Sequence, residues 1–171
     1  MRSSWRRLLS SAAPTARMNL SKGLTAEYRG KTLSEVVAAP VVALEGLGAW
    51  NEDLEKRLKL KTVGDLGSWK YFVRARALVD VAALEFEGDR SAESTLNVNK
   101  ILDAEHEIKS FRDVLALAPS ALQGVTGRHD KGLRALNIFT IRDLGDWPAA
   151  RAAATIVTLA KFETSDVSQH K

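Results

Sequence analysis

Beyond residue 17, apolar positions recur at spacings of three and four, and no segment shows the period-two alternation of a half-buried strand. The pattern predicts helices throughout. The longest spans residues 69–85, with Phe72, Ala75, Val79 and Ala82 along one stripe. Shorter ones are marked by their ends. A first helix is expected over 20–28. Thr32 with Glu35 makes a capping box opening a short helix that stops before Pro40, and Pro40 suits the first turn of another reaching residue 44. Gly46-Leu47-Gly48 reads as a tight turn, after which Asn51 caps a helix through residue 58. Thr62 with Asp65 forms a second capping box, and Ser68 caps the long helix.

The same grammar then recurs. Shifted by 78 positions, residues 18–85 align with residues 96–163 without a gap, and 21 of the 68 positions are identical. Asn19/Asn97, Gly46/Gly124, Thr62/Thr140, Asp65/Asp143, Gly67/Gly145 and Trp69/Trp147 are among them. Internal repetition of this kind decides architecture ahead of any local signal. In the second copy Ser110 with Asp113, Pro119, and Thr140 with Asp143 replace the boxes and proline start of the first, and Asp146 is expected to cap the last helix. The expected fold is all-α: two tandem five-helix repeats over 18–85 and 96–163, a polar linker at 86–95, and a polar tail at 164–171. A repeat this small buries only about 60% of its unfolded surface alone, so the copies should stabilise each other or lean on a partner.

Charge changes the picture at one end only. The chain has 25 Lys+Arg against 21 Asp+Glu, but Arg2, Arg6, Arg7 and Arg17 lie in an acid-free segment, leaving 21 against 21 beyond it. Residues 1–17, rich in Arg, Ser and Ala with Trp5, Leu8 and Leu9 near one helical face, read as an organellar transit peptide. A disordered basic tail is the alternative. With no cysteine, disulfides, thiolate nucleophiles and cysteine metal sites are excluded. No stretch approaches the length of a membrane span, so no segment is expected to cross a bilayer.

The segments Leu44-Glu45-Gly46-Leu47-Gly48 and Leu58 to Leu66, with Leu122-Gln123-Gly124-Val125 and Leu136 to Leu144, resemble the helix-hairpin-helix superfamily. That resemblance covers about 25 residues per copy and implies a fold that serves nucleic-acid binders and protein adaptors alike. Nucleic-acid-binding members aim the amides of the turn at a phosphate, with cations nearby. Here the first copy keeps Gly46 and Gly48 but follows them with Trp50, Asn51, Glu52 and Asp53. The second has Arg128, His129, Lys131 and Arg134, but Thr126 in place of the second glycine. Neither hairpin has both the turn and the charge, and the body is neutral, so no strong nucleic-acid binding is expected. Residues 31–85 and 109–163, with Trp69-Lys70-Tyr71 the best match and Trp147-Pro148-Ala149 a departure, also resemble small algal plastid accessory or linker proteins of photosystem–antenna complexes. This second likeness implies protein subunits of a membrane complex as partners and a thylakoid-associated plastid location in preference to the mitochondrion.

The candidate residues follow from these patterns. Gly46, Gly48, Thr62, Asp65, Gly124, Thr140 and Asp143 are structural turns and caps, and Trp69 and Trp147 are core. Trp50, Lys70, Arg74, Arg76, Arg128, His129, Lys131 and Arg134 are candidates for partner binding. His129 reads either as a surface polar residue or as an axial ligand for a chlorophyll; no cofactor is required, with chlorophyll or carotenoid placed only at an interface. His106, His129 and His170 share no metal-ligand spacing, and no catalytic triad, phosphate loop or paired carboxylate occurs. The expected role is a non-catalytic adaptor or linker in an organellar assembly, foremost a photosystem–light-harvesting antenna. A nucleic-acid-binding protein and an accessory subunit of a mitochondrial complex are the alternatives.

Overall fold

The structure, a computed structural model, describes residues 18–86 and 92–165. The expected leader at 1–17, His170, linker residues 87–91 and tail residues 166–171 lie outside that range. The described residues form seven α-helices and no sheet, with isolated β-bridges only. In chain order the helices are α1 (Leu33–Ala38), α2 (Val63–Gly67), α3 (Lys70–Ala82), α4 (Phe111–Leu115), α5 (Gly127–Ala135), α6 (Ile141–Asp146) and α7 (Pro148–Ala160). The two long helices α3 and α7 each have 13 residues.

Three of the four expected capping boxes form in full, and at α4 Ser110 accepts the Asp113 amide without a reciprocal bond to the Asp113 side chain. Thr32 and Glu35 cap α1 reciprocally, as Thr62 and Asp65 cap α2 and Thr140 and Asp143 cap α6. Several other expectations change. The helix expected over 20–28 is a 3₁₀ turn at Ala26–Tyr28, and the one expected after Pro40 is a 3₁₀ turn at Val41–Ala43. Segments this short gain too few hydrogen bonds to offset nucleation of an α-helix. Ser68 does not cap α3; its hydroxyl donates to the Gly64 carbonyl at the end of α2. Asp146 ends α6 and does not cap α7. Trp69 and Trp147 themselves occupy the N-cap positions of α3 and α7. The helix expected over 51–58 is a π-helical turn at Asp53–Leu58, preceded by a 3₁₀ turn at Gly48–Trp50, and Asn51 makes no side-chain cap there.

The two halves, residues 18–86 and 92–165, are joined by an exchange of their long helices. Helix α3 of the first half packs on α4 and α6 of the second, and α7 of the second packs on α1 and α2 of the first. Glycine makes this contact close. A Cβ on Gly67 would stand 2.6 Å from the Ala153 carbonyl oxygen of α7, and one on Gly145 would stand 2.7 Å from that of Ala75 on α3. Gly67 and Gly145 are equivalent positions of the two copies, as are Ala75 and Ala153, so the contact is the same one made twice.

A glutamate beyond each long helix completes the exchange. Glu163 accepts the Leu33 and Ser34 amides at 2.7 and 2.9 Å, capping α1 of the other half. Glu85 accepts the Phe111 and Arg112 amides at 2.8 and 2.9 Å, capping α4. These amides are among the first-turn donors that lack helical partners, so a carboxylate placed there is bound through charge-assisted hydrogen bonds.

One apolar cluster accordingly runs through both halves, centred on Phe72, Leu66 and Leu78 of the first and Leu133, Ile141 and Leu144 of the second. Buried residues Tyr71, Phe72, Ala75, Leu78 and Ala82 give α3 its inner stripe. On α7 the inner stripe is Ala150, Ala153 and Ile156, small enough for the helix to approach α2 backbone to backbone.

Candidate functional site

The exchange carries the start of α3 to the second hairpin. The turn there requires Gly124, whose φ of +90° is open to glycine at little cost; Gly46 holds the same place in the first hairpin at +85°. Gly48 has a negative φ, so Thr126 is accommodated at the equivalent position of the second copy without strain.

Tyr71 is the hub. It is buried, and its hydroxyl donates to the Gly124 carbonyl at 2.6 Å. Its ring meets Trp69 and His129 edge-on, each with centroids 5.5 Å apart, and the Lys70 ammonium lies 4.9 Å from its centroid. One turn further along α3, Arg74 donates to the Gln123 carbonyl at 3.4 Å. From α5, Arg128 reaches across to donate to the Lys56 carbonyl of the first half. Lys70 and Arg74 thus stand at Tyr71 and the Gly124 turn, and Arg128, from the other half, lies close enough to His129 for its charge and that of Lys70 to act on the same ring. A carbonyl contact satisfies a guanidinium proton without neutralising its charge, and among the described residues none of the three cations has a carboxylate partner.

His129 fills the place that a carboxylate holds in the other boxes. Its Nδ1 accepts the Thr126 amide at 3.1 Å, which puts the ring proton of the neutral form on Nε2. Burial lowers its pKa, and the neighbouring Arg128 and Lys70 charges lower it further against an opposing pull from Asp130. The neutral ring caps α5 without cancelling the positive charge around it.

The remaining candidates fall elsewhere or into structural roles. Arg76 binds Asp80 on its own helix and Asp146 on α6, the latter at 2.7 Å, so its charge is spent inside the molecule. Lys131 and Arg134 are exposed on α5, and the Arg134 guanidinium lies 5.9 Å from the Phe139 ring centroid. Trp50 is half-buried at the end of its 3₁₀ turn, Trp69 is half-buried, and Trp147 is buried. The Asp65 and Asp143 carboxylates each accept two backbone amides. Burial acts to raise both pKa values, but these bonds with their threonine partners outweigh it and hold both below the ordinary range.

Sequence reasoning missed Tyr71, Glu85 and Glu163. A buried tyrosine whose counterpart is Ala149 signals a contact particular to one hairpin. An identical glutamate just beyond the apolar stripe of both long helices signals a shared structural task.

A second exposed surface lies at the far end of α3. Leu84, Phe86 and Leu96 line a shallow groove with Val81, Val98 and Phe111, and polar side chains including Glu85, Glu107 and Lys109 make up the rest of its wall. Among the described residues no group of three or more metal-ligating side chains is close enough to hold an ion, and no helix is long and apolar enough to cross a membrane. No protein-family model, curated protein or solved structure matches the chain.

Proposed function

We propose that this chain is a non-catalytic adaptor, a duplicated pair of helix-hairpin-helix-like repeats that bridges two different neighbours within a large organellar membrane assembly. One observation carries the reading: a single continuous core bears two exposed surfaces of unlike chemistry. The first is the cationic face around Tyr71, and the second is the groove where Leu84, Phe86 and Leu96 are exposed. Exposed apolar surface grouped this way favours a protein contact, and unlike surfaces select unlike partners.

The cationic face combines residues of both halves, so we assign one partner to each surface and not to each repeat. The likeness of residues 31–85 and 109–163 to algal plastid accessory proteins supports a photosystem–light-harvesting antenna as host, with the protein peripheral on the soluble side of the thylakoid.

Nucleic-acid binding is the second reading. It gains from the convergence of Lys70 and Arg74 with the Gly124 turn, which brings together the charge and turn that the sequence separates. Affinity for a phosphodiester chain grows with the number of phosphates neutralised, and three cations around one tyrosine neutralise few.

The adaptor reading is tested by purifying the tagged protein from its organism after mild detergent extraction. It should travel with one large complex and contact at least two of its subunits in cross-linking. Recovery as a free monomer, with organellar complexes intact after its loss, would refute it.

A further inference from the structure

We propose that Lys70, Arg74 and Arg128 form a docking face for an acidic polypeptide segment, one segment per chain. The proposal rests on the adaptor reading and names the chemistry of one neighbour.

The face is built, and not merely a place where cations happen to be exposed. Tyr71 is held by its hydroxyl bond to Gly124 and by edge contacts with Trp69 and His129, so the ring under the Lys70 ammonium has a fixed place. Arg74 and Arg128 are each steered by a backbone carbonyl. A carbonyl fixes the direction of a guanidinium while leaving its other donors for a carboxylate, which arginine can grip with two parallel bonds.

Nearby cations behave differently. Lys56 pairs with Glu52 at 2.7 Å, Arg57 pairs with Asp53 at 2.6 Å, and Arg76 pairs with Asp80 and Asp146. Internal carboxylates therefore neutralise these neighbours but leave Lys70, Arg74 and Arg128 uncompensated, and Lys131 and Arg134, likewise without an ion pair among the described residues, add exposed positive charge on α5.

Two features favour a protein segment over a nucleic acid. The π-helical turn packed on α5 carries the exposed Glu55, which pairs with no cation among the described residues and would repel a phosphodiester track extended beyond the three cations. A short acidic peptide need not extend past the three cations. The stoichiometry follows from the equivalent positions of the other copy, where Lys70, Arg74 and Arg128 correspond to Pro148, Ala152 and Trp50. The other hairpin has no matching charge.

The test uses the purified chain and a fluorescein-labelled poly-glutamate peptide, with labelled single- and double-stranded DNA as comparison probes. Poly-glutamate should bind saturably at one peptide per chain, more weakly as salt rises. Lys70→Glu with Arg128→Glu should weaken binding by at least about tenfold, because charge reversal converts attraction into repulsion. Lys22→Glu with Lys161→Glu should leave it unchanged. Should the first variant fail to fold, Lys70→Gln with Arg74→Gln removes two charges at positions outside the core and should still weaken binding severalfold.

No saturable binding, binding indifferent to both face variants, or tighter binding of DNA than of poly-glutamate would overturn the proposal. Failure of the peptide to bind a chain that still travels with its complex would remove this inference and leave the adaptor reading standing. Peptide binding by a chain that joins no complex would do the reverse.

Discussion

The two hairpins end alike and are wound differently. Lys59 at φ 61° and Asn137 at φ 59° terminate them in the left-handed conformation, at equivalent positions of the two copies. Before that stop, the Leu60 amide in the first hairpin reaches back six residues to the Leu54 carbonyl, and Ile138 in the second reaches back only five, to Leu133. The buried leucines explain the difference. Leu54 aligns with Gly132, and Leu133 aligns with the exposed Glu55, so the inward-facing leucine of the first hairpin stands one residue early. A π-helical turn takes up the extra residue and still delivers Leu58 and Leu60 to the core. An ungapped alignment can therefore conceal a local change of winding when both ends are anchored.

The halves also differ in how their matching tryptophans are buried. Trp147→Ala should cost about 3–5 kcal/mol in chemical denaturation. Trp69→Ala, at a half-buried position, should cost less, about 1–3 kcal/mol. Equal losses would mean that the two positions are energetically equivalent despite their different surroundings.

The exchange contact should respond symmetrically. Gly67→Ala and Gly145→Ala both place a methyl against the backbone of the opposite long helix, and each should destabilise by about 1–3 kcal/mol. Gly48→Ala, where a Cβ meets nothing within 4 Å, should be nearly silent in the same assay. A loss at only one of the paired glycines would show that the two grooves grip their helices unequally.

The shared stop gives a reciprocal test. Left-handed geometry disfavours lysine more than asparagine, so Lys59→Asn should raise stability by about 0.5–1 kcal/mol and Asn137→Lys should lower it by a similar amount. Thermal melts of the two single variants and the double variant would show whether the hairpins respond independently.

Acid should act through the caps. Asp65 and Asp143 titrate below the ordinary aspartate value of 3.8, so the unfolded chain takes up protons first as pH falls. Their contribution is complete above that value and is lost as pH drops through the folded values. His129, lowered from 6.5, acts in the same direction at higher pH, because its neutral form is the one the fold holds. Asp65→Asn with Asp143→Asn should flatten the acid limb of a stability–pH curve, and His129→Gln should flatten the region just below 6.5.

These signals differ in how far they reach along the chain. Thr32, Thr62 and Thr140 announce their helices because a hydroxyl and an acidic side chain three residues later satisfy each other's neighbouring amides, wholly within one turn. The positive φ at Gly46 and Gly124 is likewise a local demand. The exchange is not local. Gly67 needs a small residue opposite it, and Ala75 and Ala153 both qualify, so the sequence does not say which long helix fills which groove. The cationic face was hidden for the same reason: Lys70 and Arg74 reach the Gly124 turn, on the half that carries Arg128, only because α3 crosses over. The π-helical turn was hidden because its cause is the one-residue offset between Leu54 and Leu133, visible only once burial is known.

The crossing of the long helices also fixes an order of events during synthesis. The α1–α2 groove made by the first part of the chain has no helix to receive until residues 148–163 exist, and the amides of Leu33 and Ser34 wait for the carboxylate of Glu163, far downstream. Closing contacts across such separations is slow, and the apolar groove stays exposed meanwhile. A nascent first half is therefore an unfinished object, open to chaperones and to other nascent chains until the last helix arrives.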